Sequence, residues 1–293
     1  MTVWIEAARP KTLSAAVAPV AVGTGAAVTA TGAVILWRVL AALVVALAVQ
    51  VAVNYANDYF DGVRGVDSQA RVGPRRAVAA GLVPAERMRA AMLAAFGVAG
   101  VAGLALAAAV GWELLAVGLA CFAAAAAYSG GPRPYASAGL GEVFVFVFFG
   151  LVATAGTAYV LVERLTLVAV VAAIPVGMLA VAILVANNLR DLASDAAGGK
   201  RTLAVRMGDR PTRLLYAACV LSAFLFLPVI AAVMPEGVSA WPLLALVSLL
   251  PALPPMRATL WGASGRDLIP VLVGTSRTHL LFGLTLAASL ALA

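Results

Sequence analysis

The sequence predicts an all-α polytopic membrane protein, a helical bundle of about nine transmembrane helices, and three observations predict it. Of its 293 residues 63% are hydrophobic and only 11% charged, with a mean hydropathy of +1.03, far from a soluble composition. Apolar runs of the roughly 20 residues needed to cross a hydrocarbon core recur along the chain. Lys and Arg fall almost entirely into alternate connections between those runs. Outer-membrane strands would instead alternate over segments of about 10 residues, whereas these runs are continuous and rich in the helix formers Ala and Leu.

In chain order the spans are predicted at 13–31, 34–53, 90–110, 112–129, 140–161, 165–188, 212–233, 240–256 and 268–291, each bounded by polar or Pro/Gly-rich breaks. The first follows Arg9 and Lys11 and could be mistaken for a secretory signal, but Glu6, Pro19 and eight further spans favour a retained helix. The second and sixth run into Asn/Asp clusters followed by Arg-rich loops, a weak internal echo. Only Gly111 and Trp112 divide the third span from the fourth. Gly97, Gly100 and Gly103 in the third span read as helix-packing positions. The fifth follows a Tyr/Pro/Arg-rich connection; the last three are separated by Pro, Gly and charged residues. Residues 1–293 read as one integral membrane domain.

Eighteen of the 20 Lys and Arg lie on one side of this arrangement; only Arg38 and Arg164 lie on the other. The positive-inside rule makes the first side cytoplasmic, in the cell (plasma) membrane, with the N-terminus inside. The net charge of +7 therefore reports topology, and with no solvated basic domain no nucleic-acid partner is expected. Cys121 and Cys219 lie in apolar runs and His279 is the single histidine, so a bound metal would need oxygen ligands.

Such ligands occur twice. Asn54, Asn57, Asp58 and Asp61 sit at i, i+3, i+4 and i+7, within about 100° on one helical face. Asn187, Asp191 and Asp195 sit at i, i+4 and i+8. Stacked like charges destabilise a helix unless a cation compensates, and carboxylates with carboxamides suit Mg²⁺, which takes one or two carboxylates plus phosphate oxygens. Four spans separate the clusters, so a parallel repeat would bring them face to face. The opposing reading is solvated helix ends paired with nearby arginines. The following loops hold Arg64, Arg71, Arg75 and Arg76, and Lys200, Arg201 and Arg206, cations suited to a diphosphate or simply to the cytoplasmic face. Tyr128 and Arg133 close another inward-running helix, where tyrosines are commonly interfacial. A transporter would place its charges near the midplane. The match of Asp58–Gly62 to the Asp-x₂-Asp-Gly of CDP-alcohol phosphotransferases fails at Val63–Val66 and at the distance to the second Asp pair.

Asn54-x₂-Asn57-Asp58-x₂-Asp61 with the later Asp191-x₃-Asp195, on about nine spans, resembles the UbiA superfamily of intramembrane prenyltransferases over nearly the whole chain. More narrowly, Trp4–Thr12, Arg71–Pro74, Tyr128–Pro134, Gly139–Glu142 and Gly199–Arg206 are similar to the 1,4-dihydroxy-2-naphthoate polyprenyltransferases of menaquinone biosynthesis. The resemblance implies that Asp58, Asp61, Asp191 and Asp195 hold Mg²⁺ on a polyprenyl diphosphate, that apolar helix walls within the lipid bilayer take the isoprenoid tail, and that an aromatic acid is the acceptor. Where many relatives carry a further Asp this chain has Gly65, and Asp67 is its possible substitute. With Asn54, Asn57 and Asn187, the cations Lys11, Arg64, Arg133, Lys200 and Arg201 and the ring of Tyr128 are the candidate substrate contacts. A UbiA-type enzyme with another acceptor, such as 4-hydroxybenzoate, is the alternative.

Overall fold

The computed structural model describes residues 3–65, 73, 76–132 and 134–293; Arg71, Arg75, Asp67 and Arg133 lie outside them. Among the described residues the protein is an all-α bundle without strands. Eight helices are long and apolar enough to cross a membrane: α1 (Ser14–Thr31), α2 (Leu36–Val63), α3 (Ala85–Val110), α5 (Gly141–Val162), α6 (Leu167–Arg190), α7 (Asp209–Ala232), α8 (Trp241–Leu260) and α9 (Leu268–Leu292). The ninth, α4 (Glu113–Ser129), is apolar but has only 17 residues, about 25 Å at 1.5 Å per residue.

Local chemistry sets the boundaries. Gly32, at φ 66°, ends α1 in a left-handed turn that a side chain would disfavour. The Thr166 hydroxyl accepts the Ala169 N–H and caps α6. α2 outruns its predicted end at residue 53 by ten residues, because nothing from Asn54 to Asp61 breaks a helix.

α6 lies at the centre, with Val176, Leu179, Ala182 and Ala186 fully buried, while Val101, Leu119, Leu225 and Leu250 face outward. That inversion of the soluble pattern is the solution for a chain whose surroundings are hydrocarbon. Lipid supplies no hydrophobic drive between helices, so contact depends on close backbone approach. A Cβ on Gly25 would stand 2.5 Å from the Ala287 carbonyl oxygen, and one on Gly283 would stand 2.5 Å from the Ala18 Cβ, which locks α1 against α9. α5 loosens into a π-helical segment at Phe146–Val152, where Gly150 meets Gly177 of α6. Gly100 and Gly103 correct the packing expectation: a Cβ on either would meet nothing closer than 3.8 Å. Both face the cavity described next.

Candidate active site

A cavity of about 440 Å³ runs from one end of the bundle into its apolar interior. Its mouth is polar, lined by Arg9, Asn54, Asn57, Asp61, Arg76, Asn187, Asn188, Asp191, Asp195 and Lys200. Val45, Val49, Gly103, Leu106, Leu114 and Val160 line the deeper part. A charged mouth on an apolar shaft suits a molecule with an anionic head and a hydrocarbon tail.

The mouth joins the two clusters. Lys200 Nζ donates to Asp61 Oδ2 at 3.0 Å and lies 3.9 Å from Asp195 Oδ1. Arg76 donates to the same Asp61 oxygen at 3.4 Å. Asp61, Asp195 and Arg76 are all buried, so their charges act where screening is weak. A turn after the short helix Leu192–Ala197 returns Lys200 to the site: its N–H donates to the Asp195 carbonyl at 2.9 Å. Gly199 makes that turn at φ 74°.

The second cluster is not one continuous row. α6 stops at Arg190, and Asp191 occupies the junction before Leu192–Ala197. The turn lets Arg190 fold back on its neighbour, donating from Nε to Asp191 Oδ1 at 2.8 Å and from Nη2 to Oδ2 at 2.7 Å. Nη2 also donates to Asn187 Oδ1 at 2.9 Å. A Cβ on Gly73 would lie 2.9 Å from that nitrogen, so Gly73 itself lies close against the guanidinium.

In the first cluster Asn54 Nδ2 donates to the Ala8 carbonyl at 2.8 Å, and the Ser129 hydroxyl bonds Asn57 Oδ1. Asp58 differs from its neighbours. It is buried, is absent from the cavity wall, and accepts the backbone N–H groups of Ala77 and Val78, both at 2.9 Å.

Three expected substrate contacts lie elsewhere. Arg64 donates to the carbonyls of Ser129 at 2.8 Å and Gly131, tying α2 to the end of α4. Lys11 and Arg201 are exposed and do not line the cavity. Charge sign suggested them, but a loop side chain's direction depends on turns that spacing does not encode. Tyr128 does line it, and Arg133 lies outside the described residues.

Among the described residues no three His, Cys, Asp or Glu side chains form a ready-made metal cage. The set still fits a hard divalent ion, since Mg²⁺ needs only one or two carboxylates when substrate phosphates and water complete its shell. The two carboxylates bridged by one ammonium already stand where a cation between them is favoured.

Residues 16–267 match the model of the UbiA prenyltransferase family. The chain belongs to that family. It is 44% identical to the 1,4-dihydroxy-2-naphthoate octaprenyltransferase of Mycobacterium tuberculosis over 291 residues, 98% of this chain and 96% of the relative. It is 30% identical to the enzyme of that name from Bacillus subtilis, over 96% and 90% of the two chains. The fold is shared with a UbiA homolog from Aeropyrum pernix at TM-score 0.70 and 15% identity, over 94% of this chain and 97% of that one. It is shared too with a UbiA homolog from Archaeoglobus fulgidus bound to GPP and Mg²⁺, at TM-score 0.66 and 15% identity, over 98% and 100%.

Within this family frame the site has residues that sequence reasoning passed over. Arg9, assigned only to topology, lines the mouth with a left-handed backbone at φ 53°, unusual for a residue with a Cβ. The Asn54 bond to Ala8 and the Thr12 hydroxyl bond to the Arg9 carbonyl, 3.0 Å, hold it there. By charge alone Arg190 is one of the 18 Lys and Arg on the cytoplasmic-predicted side. Its position one residue before Asp191, at a helix end, was the available signal. An aromatic wall completes the mouth: Tyr135 stacks on Phe144 with centroids 4.0 Å apart, and Tyr128 meets Tyr135 edge-on at 5.4 Å. Burial, then the nearby Tyr128, raises the Tyr135 hydroxyl's pKa, so the phenol stays neutral.

Proposed function

We propose that the protein transfers a polyprenyl group from polyprenyl diphosphate to 1,4-dihydroxy-2-naphthoate with loss of carbon dioxide, giving demethylmenaquinol, at the cytoplasmic face of the cell membrane. The observation that carries the reading is the Lys200 ammonium between Asp61 and Asp195 at the mouth of an apolar cavity. The 44% identity to a naphthoate octaprenyltransferase supports the acceptor.

Asp61, Asp191 and Asp195, with the amide oxygens of Asn57 and Asn187, are the groups that would hold Mg²⁺. Bound there, the ion would neutralise charge on the diphosphate leaving group, as metals do in phosphoryl chemistry. Lys200 and Arg76, both against Asp61, add fixed positive charge beside that leaving group. As the allylic C–O bond breaks, its electron pair leaves with diphosphate and the ring carbon bearing the carboxylate forms the new C–C bond. The C–CO₂⁻ bond then breaks and its electron pair restores the aromatic ring. The apolar shaft between α2, α3, α4 and α5 receives the isoprenoid. Arg9, at the aromatic wall, supplies a cation for the acceptor carboxylate.

Purified protein in liposomes, given prenyl diphosphate, Mg²⁺ and equal concentrations of 1,4-dihydroxy-2-naphthoate and 4-hydroxybenzoate, tests this by mass spectrometry of the lipid. The naphthalenediol carrying the prenyl chain and lacking the carboxylate is expected. A product that keeps its carboxylate, or preference for the monocyclic acid, would assign the other acceptor.

A further inference from the structure

One buried carboxylate stands apart from the two Asn/Asp clusters. Glu142, in the first turn of α5, is 7% exposed; its Oε1 accepts from Asn188 Nδ2 at 2.9 Å, and its Oε2 is buried without a hydrogen-bond partner. Among the described residues no cation pairs with it. A buried carboxylate without a counter-charge is expensive and is an uncommon structural choice at a helix end in a membrane bundle. Its one contact has a specific consequence. A carboxamide donates only through nitrogen, so Glu142 fixes the rotation of the Asn188 amide and leaves Oδ1 as the atom this side chain offers elsewhere. Asn188 lines the cavity, as do Tyr128, Tyr135 and Phe144. Gly141, beside Glu142, approaches the Tyr128 ring with its Cβ position 3.9 Å from Cε2, placing the amide and the aromatic wall at the same end of the cavity.

We infer that Asn188 Oδ1 accepts a hydrogen bond from a ring hydroxyl of the aromatic acceptor, whose ring lies against Tyr128, Tyr135 and Phe144, and that Glu142 positions that amide. Accepting from the hydroxyl would orient the ring and raise its electron density at the carbon that attacks. This rests on the aromatic-acceptor reading. The test compares binding and turnover of 1,4-dihydroxy-2-naphthoate with the two analogues lacking one hydroxyl. In the wild type at least one deletion should weaken binding about tenfold or more, measured by quenching of protein fluorescence. Asn188→Ala and Glu142→Leu should raise the acceptor KM about tenfold, leave the prenyl diphosphate KM unchanged, and abolish discrimination between acceptor and analogue. Equal binding of the acceptor and both analogues by the wild type overturns the inference without any variant; unchanged acceptor KM, or discrimination retained in both variants, does so too. Failure of the wild type to use any aromatic acid would overturn the acceptor reading itself.

A second observation stands independently. The geometry points to Asp58 as a positioning residue that clamps the Ala77–Val78 backbone and so presents Arg76 to Asp61, rather than as a metal ligand. Asp58 is absent from the cavity wall, whereas Asp191, whose oxygens are also paired, lines it; the Asp58 oxygens face the loop instead, Oδ2 toward Ala77 N–H and Oδ1 toward Val78 N–H, and Gly62 one turn later leaves room for Val78, which a Cβ would strike at 2.6 Å. Asp58→Asn should speed hydrogen exchange of peptides covering residues 76–83 by at least tenfold while Mn²⁺ affinity stays within twofold of the wild type. Unchanged exchange, or an affinity loss matching that of Asp61→Asn, would overturn it. Asp58→Ala, which removes both acceptor oxygens where Asn keeps one, should speed exchange further.

Discussion

The Lys200 ammonium lies 3.0 Å from Asp61, a residue 139 positions earlier in the chain, and 3.9 Å from Asp195 on its own segment. One cation thus ties the two halves of the molecule at the mouth of the cavity. Replacing it with Met should leave two buried carboxylates facing each other without the ammonium that bridges them. Turnover of Lys200→Met is expected to fall about a hundredfold, the scale for losing a fixed charge aimed at a leaving group, measured at saturating Mg²⁺ and prenyl diphosphate.

The Arg190–Asp191 pair predicts a stability effect. Both side chains are at most 5% exposed and share two hydrogen bonds. Arg190→Gln removes the charge and the fork, leaving Asp191 buried; breaking such a pair costs about 3–5 kcal/mol. A lower Tm in detergent, largely restored by Asp191→Asn in the same chain, is the expected result. Arg190→Lys should not restore it, because an ammonium cannot engage both oxygens in parallel.

Gly150 and Gly177 set the approach of α5 to α6. A Cβ at Gly150 would lie 2.5 Å from the Gly177 Cα. Gly150→Val should cost about 1–3 kcal/mol, the usual range for overpacking, and reduce the monodisperse fraction in size-exclusion chromatography. Gly118→Ala, where a Cβ meets nothing within 4 Å, should not.

Orientation can be tested at two exposed positions. In a background lacking Cys121 and Cys219, Ala197→Cys lies beside the site and Val238→Cys beyond the far end of α7. Impermeant maleimide should label Val238→Cys in intact cells and Ala197→Cys only after permeabilisation; the reverse pattern would invert the topology.

Much of the bundle was legible because hydrocarbon imposes one strong rule on every span. Nine apolar runs correspond to nine apolar helices among the described residues, eight of them long enough to span, and the two Asn/Asp clusters do meet at one end. What could not be read is where each polar side chain turns once a helix ends. Spacing alone puts Asp58 with Asp61, and it does not reveal that Asp58 accepts the backbone N–H groups of Ala77 and Val78. The break at Asp191 likewise follows from Arg190 folding back, a tertiary choice that i, i+4 spacing does not reveal. Lys11 and Arg9 are two residues apart, yet Arg9, whose backbone is left-handed, lines the cavity and Lys11 does not.

The central claim is that carboxylates from both halves of the chain hold the metal on which prenyl transfer depends. Its most direct test is the initial rate of prenylated product formation by wild-type, Asp61→Asn and Asp195→Asn proteins of equal folded content in liposomes, with Mg²⁺ in excess and again in excess EDTA. The account predicts wild-type product with Mg²⁺, loss with EDTA, and rates at least a hundredfold lower in each variant. Wild-type rates in EDTA, or near-normal turnover in both variants with Mg²⁺, would contradict it.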